Sequence, residues 1–212
     1  MNIVFDFGGV VFNWRPIALL QSILPLRAHD EAAARELADA MFQHYAPHGD
    51  WAAFDRGDFD VPVLARRIAS RTELSEADVL EFVDAIPAHL EPIAETVALL
   101  QRLRTAGHRL FYLSNMPAPF ADHLERSHAF MDWFDDGVFS SRVRLAKPQP
   151  AIFKAAMQRF GLAPGELIFI DDLAHNVDAA RALGWQAIHF RDARDCEVAL
   201  RSHDPRSQVP AA

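Results

Sequence analysis

The sequence contains a single cysteine and no apolar run of the length that crosses a membrane. Cys196 alone cannot form an internal disulfide, so nothing in the sequence requires an oxidising compartment. The N-terminus lacks the basic segment followed by an apolar stretch that is typical of a signal peptide. No apolar run approaches the roughly 20 residues of a transmembrane helix. We therefore expect a cytoplasmic protein with no membrane partner.

Basic residues are too few for a nucleic-acid-binding protein. The 212 residues include 21 Lys and Arg against 29 Asp and Glu, which gives a formal net charge of −8. Binding to nucleic-acid phosphates requires clustered Lys and Arg, so we expect no nucleic-acid partner. Half of the residues are hydrophobic. This is enough for the core of one domain, or of one domain with a modest insert.

Five short segments have the composition of buried β-strands, with β-branched or aromatic residues that end at a polar residue. The predicted strands cover residues 2–7, 109–114, 138–140, 167–171 and 187–190. Helical patterns at 92–106, 150–160 and 174–183 lie among the later strands, and a glycine follows each of them. Strands that alternate with helices predict an α/β fold with a Rossmann-like, doubly wound parallel sheet.

The segment from residue 14 to residue 91 interrupts this alternation. It contains no convincing strand, and helices are predicted from Asp30, over residues 60–69 and from Ser75, where Ser75 and Asp78 match a capping box. We interpret residues 14–91 as an all-helical insert after the first strand. Residues 1–13 and 92–200 then form the sheet domain, and the polar residues 201–212 form a flexible tail.

Polar residues stand at the ends of three predicted strands and in the loop before the fourth. They are Asp6 after the first strand, Ser114 and Asn115 at the end of the second, Asp171 and Asp172 at the end of the fourth, and Lys147 ahead of the fourth. In an open parallel sheet, ligands bind outside the carboxyl ends of the strands. Three carboxylates, a hydroxyl group and a lysine at this edge predict a Mg²⁺ and phosphate site.

Known chemistry connects these residue types. Carboxylates brought close together repel one another unless a cation lies among them. An aspartate such as Asp6, screened by Mg²⁺, can attack phosphorus and form an aspartyl phosphate. Ser114 and the Asn115 amide would bind the phosphoryl oxygens. Lys147 would neutralise charge on both the nucleophile and the transferring group.

The ordered motifs FDFGGV, LSN, KP and DDLAHN resemble those of the haloacid dehalogenase-like (HAD) hydrolase superfamily. The insert is similar to the small α-helical cap of that family. The stretches FDFGGVVFNW, FDRGDF (residues 54–59), GHRLFYLSN and LIFIDDLAHNVDAARALG resemble the branch that contains bacterial α-D-glucose-1-phosphate phosphatases. The resemblance extends over nearly the whole chain and implies the HAD core fold with a cap inserted after the first strand.

The resemblance also implies a role for each matching residue. Asp6 would be the nucleophile and a Mg²⁺ ligand, and Gly8 would offer its backbone carbonyl to the metal. Asp172 would be the acidic ligand from the fourth strand. Asp171 would be either a second ligand or an acceptor in the outer shell of the metal. Asn176, one turn into the following helix, would orient this loop.

Gly8 departs from the pattern of the family. Most phosphatases of this superfamily have a second aspartate two residues after the nucleophile, which protonates the leaving group and later activates water. Loss of a general acid typically lowers the rate by a factor of about 10²–10⁴. A leaving group that is already a comparatively stable anion, a cap residue or a water molecule could compensate. The similarity to sugar-1-phosphate phosphatases favours the first explanation.

Several residues of the insert are candidates for contact with the substrate, and others for its core. His44, Tyr45, His48, Asp50 and Arg56 are the polar members, and Trp51 and Phe54 are expected in the core. The four-residue spacing of the two histidines is typical of a metal pair on a helix. Because Pro47 lies between them, we expect no metal site there.

We therefore predict a Mg²⁺-dependent phosphatase that hydrolyses a small phosphomonoester. The expected substrate is a sugar phosphate, and sugar 1-phosphates are a candidate within that class. Its partner would be a small phosphorylated metabolite, and the protein would be a monomer or homodimer. One alternative is a 2-haloacid dehalogenase in which Asp6 attacks carbon. The carboxylates at 171 and 172 argue against it, because they would repel an anionic haloacid. The other alternative is a non-catalytic binding protein with the same fold.

Overall fold

The computed structural model describes residues 1–203. Of the predicted tail, residues 201–203 belong to the last helix, and residues 204–212 lie outside the described residues. Within residues 1–203, no helix combines the length and the apolar character needed to span a membrane.

Five parallel strands form one sheet in the order β3-β2-β1-β4-β5. The strands are β1 (Asn2–Phe5), β2 (Arg109–Ser114), β3 (Asp136–Phe139), β4 (Leu167–Asp171) and β5 (Gln186–His189). The first strand lies in the centre, and the winding reverses between β1 and β4. The predicted α/β fold with a doubly wound parallel sheet is confirmed.

Helices connect the strands and make up the insert. In the insert they are α1 (Pro16–Ile23), α2 (Glu31–Phe42), α3 (Asp50–Asp55), α4 (Val61–Ala69) and α5 (Glu76–His89). In the sheet domain they are α6 (Ala94–Thr105), α7 (Ala118–Ser127), α8 (Ser140–Val143), α9 (Pro150–Phe160), α10 (Ala174–Ala182) and α11 (Ala193–His203). Short 3₁₀ turns cover Gln43–Tyr45, Ala129–Trp133 and Pro164–Glu166.

The sheet is covered on both faces, as the near-continuous apolar strands require. On one face, Val4, Phe111 and Phe169 belong to the same buried cluster as side chains of α9 and α10. On the other face, Ile3 and Ile170 join a larger cluster that includes residues of α6, α7, α11 and the insert. Side chains that alternate between two apolar layers hold the strand ends in a fixed arrangement.

Three helices of the insert, called the cap below, begin where side chains satisfy free backbone N–H groups. The Asp30 carboxylate accepts from Ala33 N at 2.8 Å, and that of Asp60 accepts from Val63 N at 3.0 Å. The predicted capping box of Ser75 and Asp78 is present. These caps fix the starts of α2, α4 and α5.

The end of α3 connects the cap to the sheet domain. The ring of Phe54 packs against that of Phe120 on α7, with 5.9 Å between centroids. The Ser140 hydroxyl donates to the backbone carbonyl of Asp55, and Arg144 Nη2 donates to the carbonyl of Gly57 at 3.3 Å. This part of the cap is therefore held directly over the carboxyl edge of the sheet.

Candidate active site

Strand register brings the predicted site residues to one edge. Phe5 lies opposite Tyr112 of β2 and Ile170 of β4, and Asp6 N continues the ladder by donating to Ile170 O at 2.9 Å. Asp6 and Asp171 are therefore neighbours across the point where the winding of the sheet reverses. Ligands of open α/β sheets bind at such a point.

The chain turns tightly after Asp6, which ends the first strand two residues earlier than predicted. The carbonyl of Phe7 accepts hydrogen bonds from the N–H groups of Val10, Val11 and Phe12. Gly9 has φ of +75°, and a Cβ atom there would collide with the carboxylate of Asp172. Glycine at position 9 thus permits both the left-handed backbone and the close approach of Asp172.

Lys147 connects two of the three carboxylates. Its ammonium lies 2.8 Å from Asp6 Oδ1 and 2.6 Å from Asp171 Oδ2, and all three residues are buried. Burial alone would lower the pKa of Lys147, but the charges of Asp171 and Asp6 outweigh it and raise that pKa. Lys147 is therefore a permanent cation beside the predicted nucleophile.

The environment of Asp6 opposes its ionisation. Burial raises the pKa of Asp6 to about 7, Lys147 lowers it, and Asp171 and Asp172 raise it again. The two hydrogen bonds that Asp6 accepts, from Lys147 Nζ at 2.8 Å and Phe7 N at 2.7 Å, both reach Oδ1. Within the described residues Oδ2 accepts none, so this is the oxygen left for attack on a substrate.

Asp171 is saturated by protein donors. Besides Lys147, its oxygens accept from Asn176 Nδ2 at 3.0 and 3.1 Å and from the Leu173 N–H at 2.9 Å. We infer that Asp171 holds Lys147 and the loop after β4. Of the two roles considered for it above, this agrees with the outer-shell one rather than with direct metal ligation. Asn176, to which the resemblance assigns an orienting role, is buried and contacts both oxygens of Asp171.

Asp172, unlike Asp171, has a carboxylate oxygen to which no group of residues 1–203 donates. Its Oδ1 is buried and has no hydrogen-bond partner within the described residues, and Asn176 Oδ1 is in the same condition. Burial, and then the charge of Asp171, raise the pKa of Asp172. One carboxylate oxygen each from Asp6, Asp171 and Asp172 lie within 4.8 Å of one another. Buried acceptors without donors fit a hard divalent cation such as Mg²⁺.

Ser114 and Asn115 differ in what they can offer a phosphate. Ser114 is buried and lines the cavity beside Asp6. The carboxamide of Asn115 bonds to the backbone of Lys147: Nδ2 donates to Lys147 O at 3.0 Å, and Oδ1 accepts from Lys147 N at 2.8 Å. The side chain of Asn115 therefore positions Lys147, and one N–H of its amide group remains for another acceptor.

A cavity of about 390 Å³ lies between this edge and the cap. Asp6, Gly8, Ser114, Asn115, Lys147, Asp172 and Asn176 line its floor, and Trp14, Tyr45, Trp51, Asp55, Ile86, Leu90, Met116 and Phe120 line its walls. Trp51 and Phe54 are buried, as predicted. Within residues 1–203 the only group of three or more residues with metal-ligand geometry is the aspartate triad.

Asp55 is a cavity residue that the sequence did not single out. It ends α3 and lies in the stretch FDRGDF, in which Arg56 is the residue predicted as a candidate for substrate contact. Burial raises the pKa of Asp55 to about 8; Arg56 and Lys147 lower it, and Asp6 raises it. Asp50, by contrast, is engaged in ion pairs with Arg67 and Arg71 and stabilises the cap.

A family model and two curated relatives match most of the chain. A haloacid dehalogenase-like hydrolase family model matches residues 1–184. A sesquiterpene phosphatase of Aspergillus oryzae is 27% identical over 93% of both chains. A glyceraldehyde 3-phosphate phosphatase of Methanopyrus kandleri is 26% identical over 88% of this chain and 78% of its own.

Solved structures share the fold. A HAD family enzyme of Bacteroides thetaiotaomicron, in complex with magnesium and inorganic phosphate, has a TM-score of 0.69 at 21% identity, covering 90% of this chain and 93% of its own. An L-2-haloacid dehalogenase of Xanthobacter autotrophicus has a TM-score of 0.67 at 19% identity, covering 97% and 85%. The two curated relatives from Aspergillus oryzae and Methanopyrus kandleri are phosphatases by name. The predicted hydrolase is confirmed, and the chain belongs to the haloacid dehalogenase-like hydrolase family.

Proposed function

We propose that this enzyme hydrolyses a small organic phosphomonoester through an aspartyl phosphate on Asp6, with Mg²⁺ as cofactor. The observation that carries the proposal is the state of two carboxylates. Asp6 is held at Oδ1 by Lys147, and among residues 1–203 nothing donates to its Oδ2 or to the buried Oδ1 of Asp172. This pairing suits a nucleophile beside a cation site.

Asp6, Asp172 and the backbone carbonyl of Gly8 would hold the ion, with Asp171 in support. When bound, Mg²⁺ would supply positive charge that screens the acidic groups from the phosphate dianion. Asp172 is assigned to the ion because its buried Oδ1 has no donor within residues 1–203, and Asp6 because one of its carboxylate oxygens lies within 4.8 Å of one from Asp172. Oδ2 of Asp6 is kept for attack on phosphorus. The oxygens of Asp171 already accept from Lys147, Leu173 and Asn176.

Residues of the chain would carry out the other steps of the reaction. Asp6 Oδ2 attacks phosphorus and the bond to the leaving oxygen breaks. Lys147 stabilises the charge that accumulates on the transferring group. The Ser114 hydroxyl and the backbone N–H of Asn115 bind the phosphoryl oxygens. Water then attacks the phosphoryl group and releases inorganic phosphate and the Asp6 carboxylate.

The walls of the cavity favour a hydrophobic organic group over a sugar. Trp14 Nε1 donates to the Tyr45 hydroxyl at 3.2 Å, Arg56 is engaged with Asp58 and the carbonyl of Pro47, and His44 is paired with Asp39. Few polar groups are then left to bind hydroxyls. The sesquiterpene phosphatase relative acts, by its name, on such a hydrophobic compound. The predicted sugar 1-phosphate becomes the second candidate.

Substrate preference can be measured directly. We expect kcat/KM for an isoprenoid monophosphate such as farnesyl phosphate to exceed that for glucose 1-phosphate by at least tenfold. A Trp51→Ala variant should lose most of that preference, since it removes aromatic surface from the wall. The reverse order of the two substrates would restore the sugar 1-phosphate as the leading candidate.

The mechanism is tested with p-nitrophenyl phosphate on the wild type and Asp6→Asn, with and without EDTA. Asp6→Asn and metal removal should each abolish turnover, and added Mg²⁺ should restore only the wild type. Asp178→Asn, at an exposed carboxylate on α10, is the matched control and should retain full activity. Turnover that survives Asp6→Asn or EDTA contradicts the mechanism, and halide release from a 2-haloacid would favour the dehalogenase.

A further inference from the structure

The nucleophile loop has no proton donor for the leaving group. Position 8 is glycine, and a Cβ atom built there would meet Trp14 Cβ at 3.8 Å, an ordinary contact. Space alone therefore does not exclude a side chain at this position. An unactivated alcohol leaves poorly as an alkoxide, so the reaction proposed above requires a proton from another group.

Asp55 lies on the opposite side of the same cavity. It ends α3 and lines the wall above a floor that contains Asp6, Ser114 and Lys147. A substrate phosphate placed on Asp6 must direct its organic group toward the cap, because the sheet edge occupies the other side. The oxygen that links phosphate to the organic group then faces the wall to which Asp55 belongs.

The backbone of Asp55 is fixed relative to the floor. Its carbonyl accepts a hydrogen bond from Ser140 at the end of β3, and Phe54 packs on Phe120. Its side chain, in contrast, makes no hydrogen bond or ion pair with any residue among 1–203. The adjacent Arg56 guanidinium is engaged with Asp58 and the Pro47 carbonyl. An immobile backbone with an unengaged carboxyl group is suited to act on a ligand.

We propose that Asp55 of the cap is the general acid and base of this phosphatase, in place of the acid missing at Gly8. This inference rests on the phosphatase activity proposed above. As Asp6 attacks phosphorus, the bond from phosphorus to the leaving oxygen breaks and its electron pair stays on that oxygen. The oxygen takes the proton of the Asp55 carboxyl group and leaves as an alcohol. Asp55, now a carboxylate, accepts a proton from the water that attacks the phosphorylated Asp6.

The surroundings of Asp55 keep its carboxyl group protonated at neutral pH. Burial raises its pKa to about 8 against the opposing charges of Arg56 and Lys147, while Asp6 adds to the rise. Tyr45, which lines the same cavity and whose hydroxyl accepts from Trp14 Nε1, is a neutral phenol and adds no charge beside Asp55. A general acid is most effective when its pKa lies near the working pH.

Leaving-group dependence separates this role from substrate binding. We would compare hexyl phosphate, whose alkoxide needs a proton, with p-nitrophenyl phosphate, whose leaving group is a stable anion. Asp55→Asn should reduce kcat for hexyl phosphate by about 10²–10⁴ and change kcat for p-nitrophenyl phosphate by less than tenfold. Asp84→Asn, at an exposed carboxylate on α5 of the cap, is the matched control and should leave both rates unchanged.

Two further measurements test the same inference. The wild-type kcat for hexyl phosphate should fall as pH rises above the pKa of Asp55, and Asp55→Asn should lack that alkaline limb. Asp55→Glu, which keeps the acid, should recover part of the rate. A thermal melt of each variant establishes that it is folded.

The outcomes are distinguishable from failure of the proposed function. If wild type does not turn over p-nitrophenyl phosphate, the phosphatase proposal fails. If it does, and Asp55→Asn lowers both substrates equally or changes only KM, Asp55 merely lines the cavity and the inference is overturned. An unchanged alkaline limb in Asp55→Asn would overturn it as well.

Discussion

Replacement of Lys147 by methionine should destabilise the protein strongly in a pH-dependent manner. The change removes a buried ammonium and leaves Asp6 and Asp171 without their shared counter-charge. Loss of one partner from a buried ionic cluster costs about 3–5 kcal/mol. For a chain of this size, each kcal/mol lowers the melting temperature by roughly 2–4 °C. The melting temperature of Lys147→Met should therefore fall by roughly 6–20 °C at pH 8.

The loss of stability caused by Lys147→Met should be smaller at acidic pH. The pKa of Asp6, already raised to about 7 in the folded state, rises further without the ammonium. A group whose folded pKa is raised keeps its stability at low pH and loses it as pH rises through that pKa. At pH 5 the carboxyl group is protonated in the folded protein, so the deficit should be clearly smaller than at pH 8.

Differential scanning fluorimetry of metal-free protein at pH 5 and pH 8 provides the measurement. The control is Lys154→Met, at an exposed lysine on α9, which should melt within 1–2 °C of wild type, since exposed substitutions cost roughly 0.5 kcal/mol or less. Lys147→Met should also lose phosphatase activity. A melting temperature that equals that of the control at pH 8 would refute the assignment of Lys147 as the counter-charge of these carboxylates.

Three other predictions follow from features of the site and the cap. Gly9→Ala should lower stability by more than about 1 kcal/mol, because of its φ of +75° and its approach to Asp172; normal urea unfolding would contradict this. Ser75→Ala should cost about 0.5–2 kcal/mol by removing the cap of α5, whereas an exposed Ser202→Ala should not. Metal-free wild type should become less stable from pH 5 to pH 8, since the folded pKa of Asp6 is raised, and Mg²⁺ should flatten that dependence in thermal melts.

Local signals determined which elements could be predicted from the sequence. The strands at 109–114 and 167–171 and the helix at 150–160 have the predicted bounds, because apolar runs end there at clear polar, proline or glycine residues. The helices α1, α3, α7, α8 and α11 were not predicted. The first four have no side chain that caps their first turn, whereas the Asp192 carboxylate accepts from Asp195 N at the start of α11. Their helical structure depends on packing against the rest of the chain, which a local pattern does not contain.

Some features of the site could be predicted from the sequence, and others could not. Strand ends converge on one edge in any parallel sheet, so the meeting of Asp6, Lys147 and Asp171 follows from order along the chain. Roles that depend on side-chain direction could not be predicted. The sequence does not reveal that the Asn115 carboxamide faces the Lys147 backbone. Nor does it reveal that Asp55 lines the cavity, because folding of the cap over the sheet decides this.

The central position of β1 has a consequence for how the enzyme is made. Of the five strands of the sheet, β1 is synthesised first, yet it pairs with strands that begin at residues 109 and 167. The N–H and C=O groups of β1 can be paired on both sides only after β2 and β4 have been synthesised. Pairing between strands so far apart in the sequence is slow. The active site around Asp6 therefore forms late in folding. Regain of activity after dilution from denaturant should accordingly follow closure of the sheet and lag behind the helical signal of the cap.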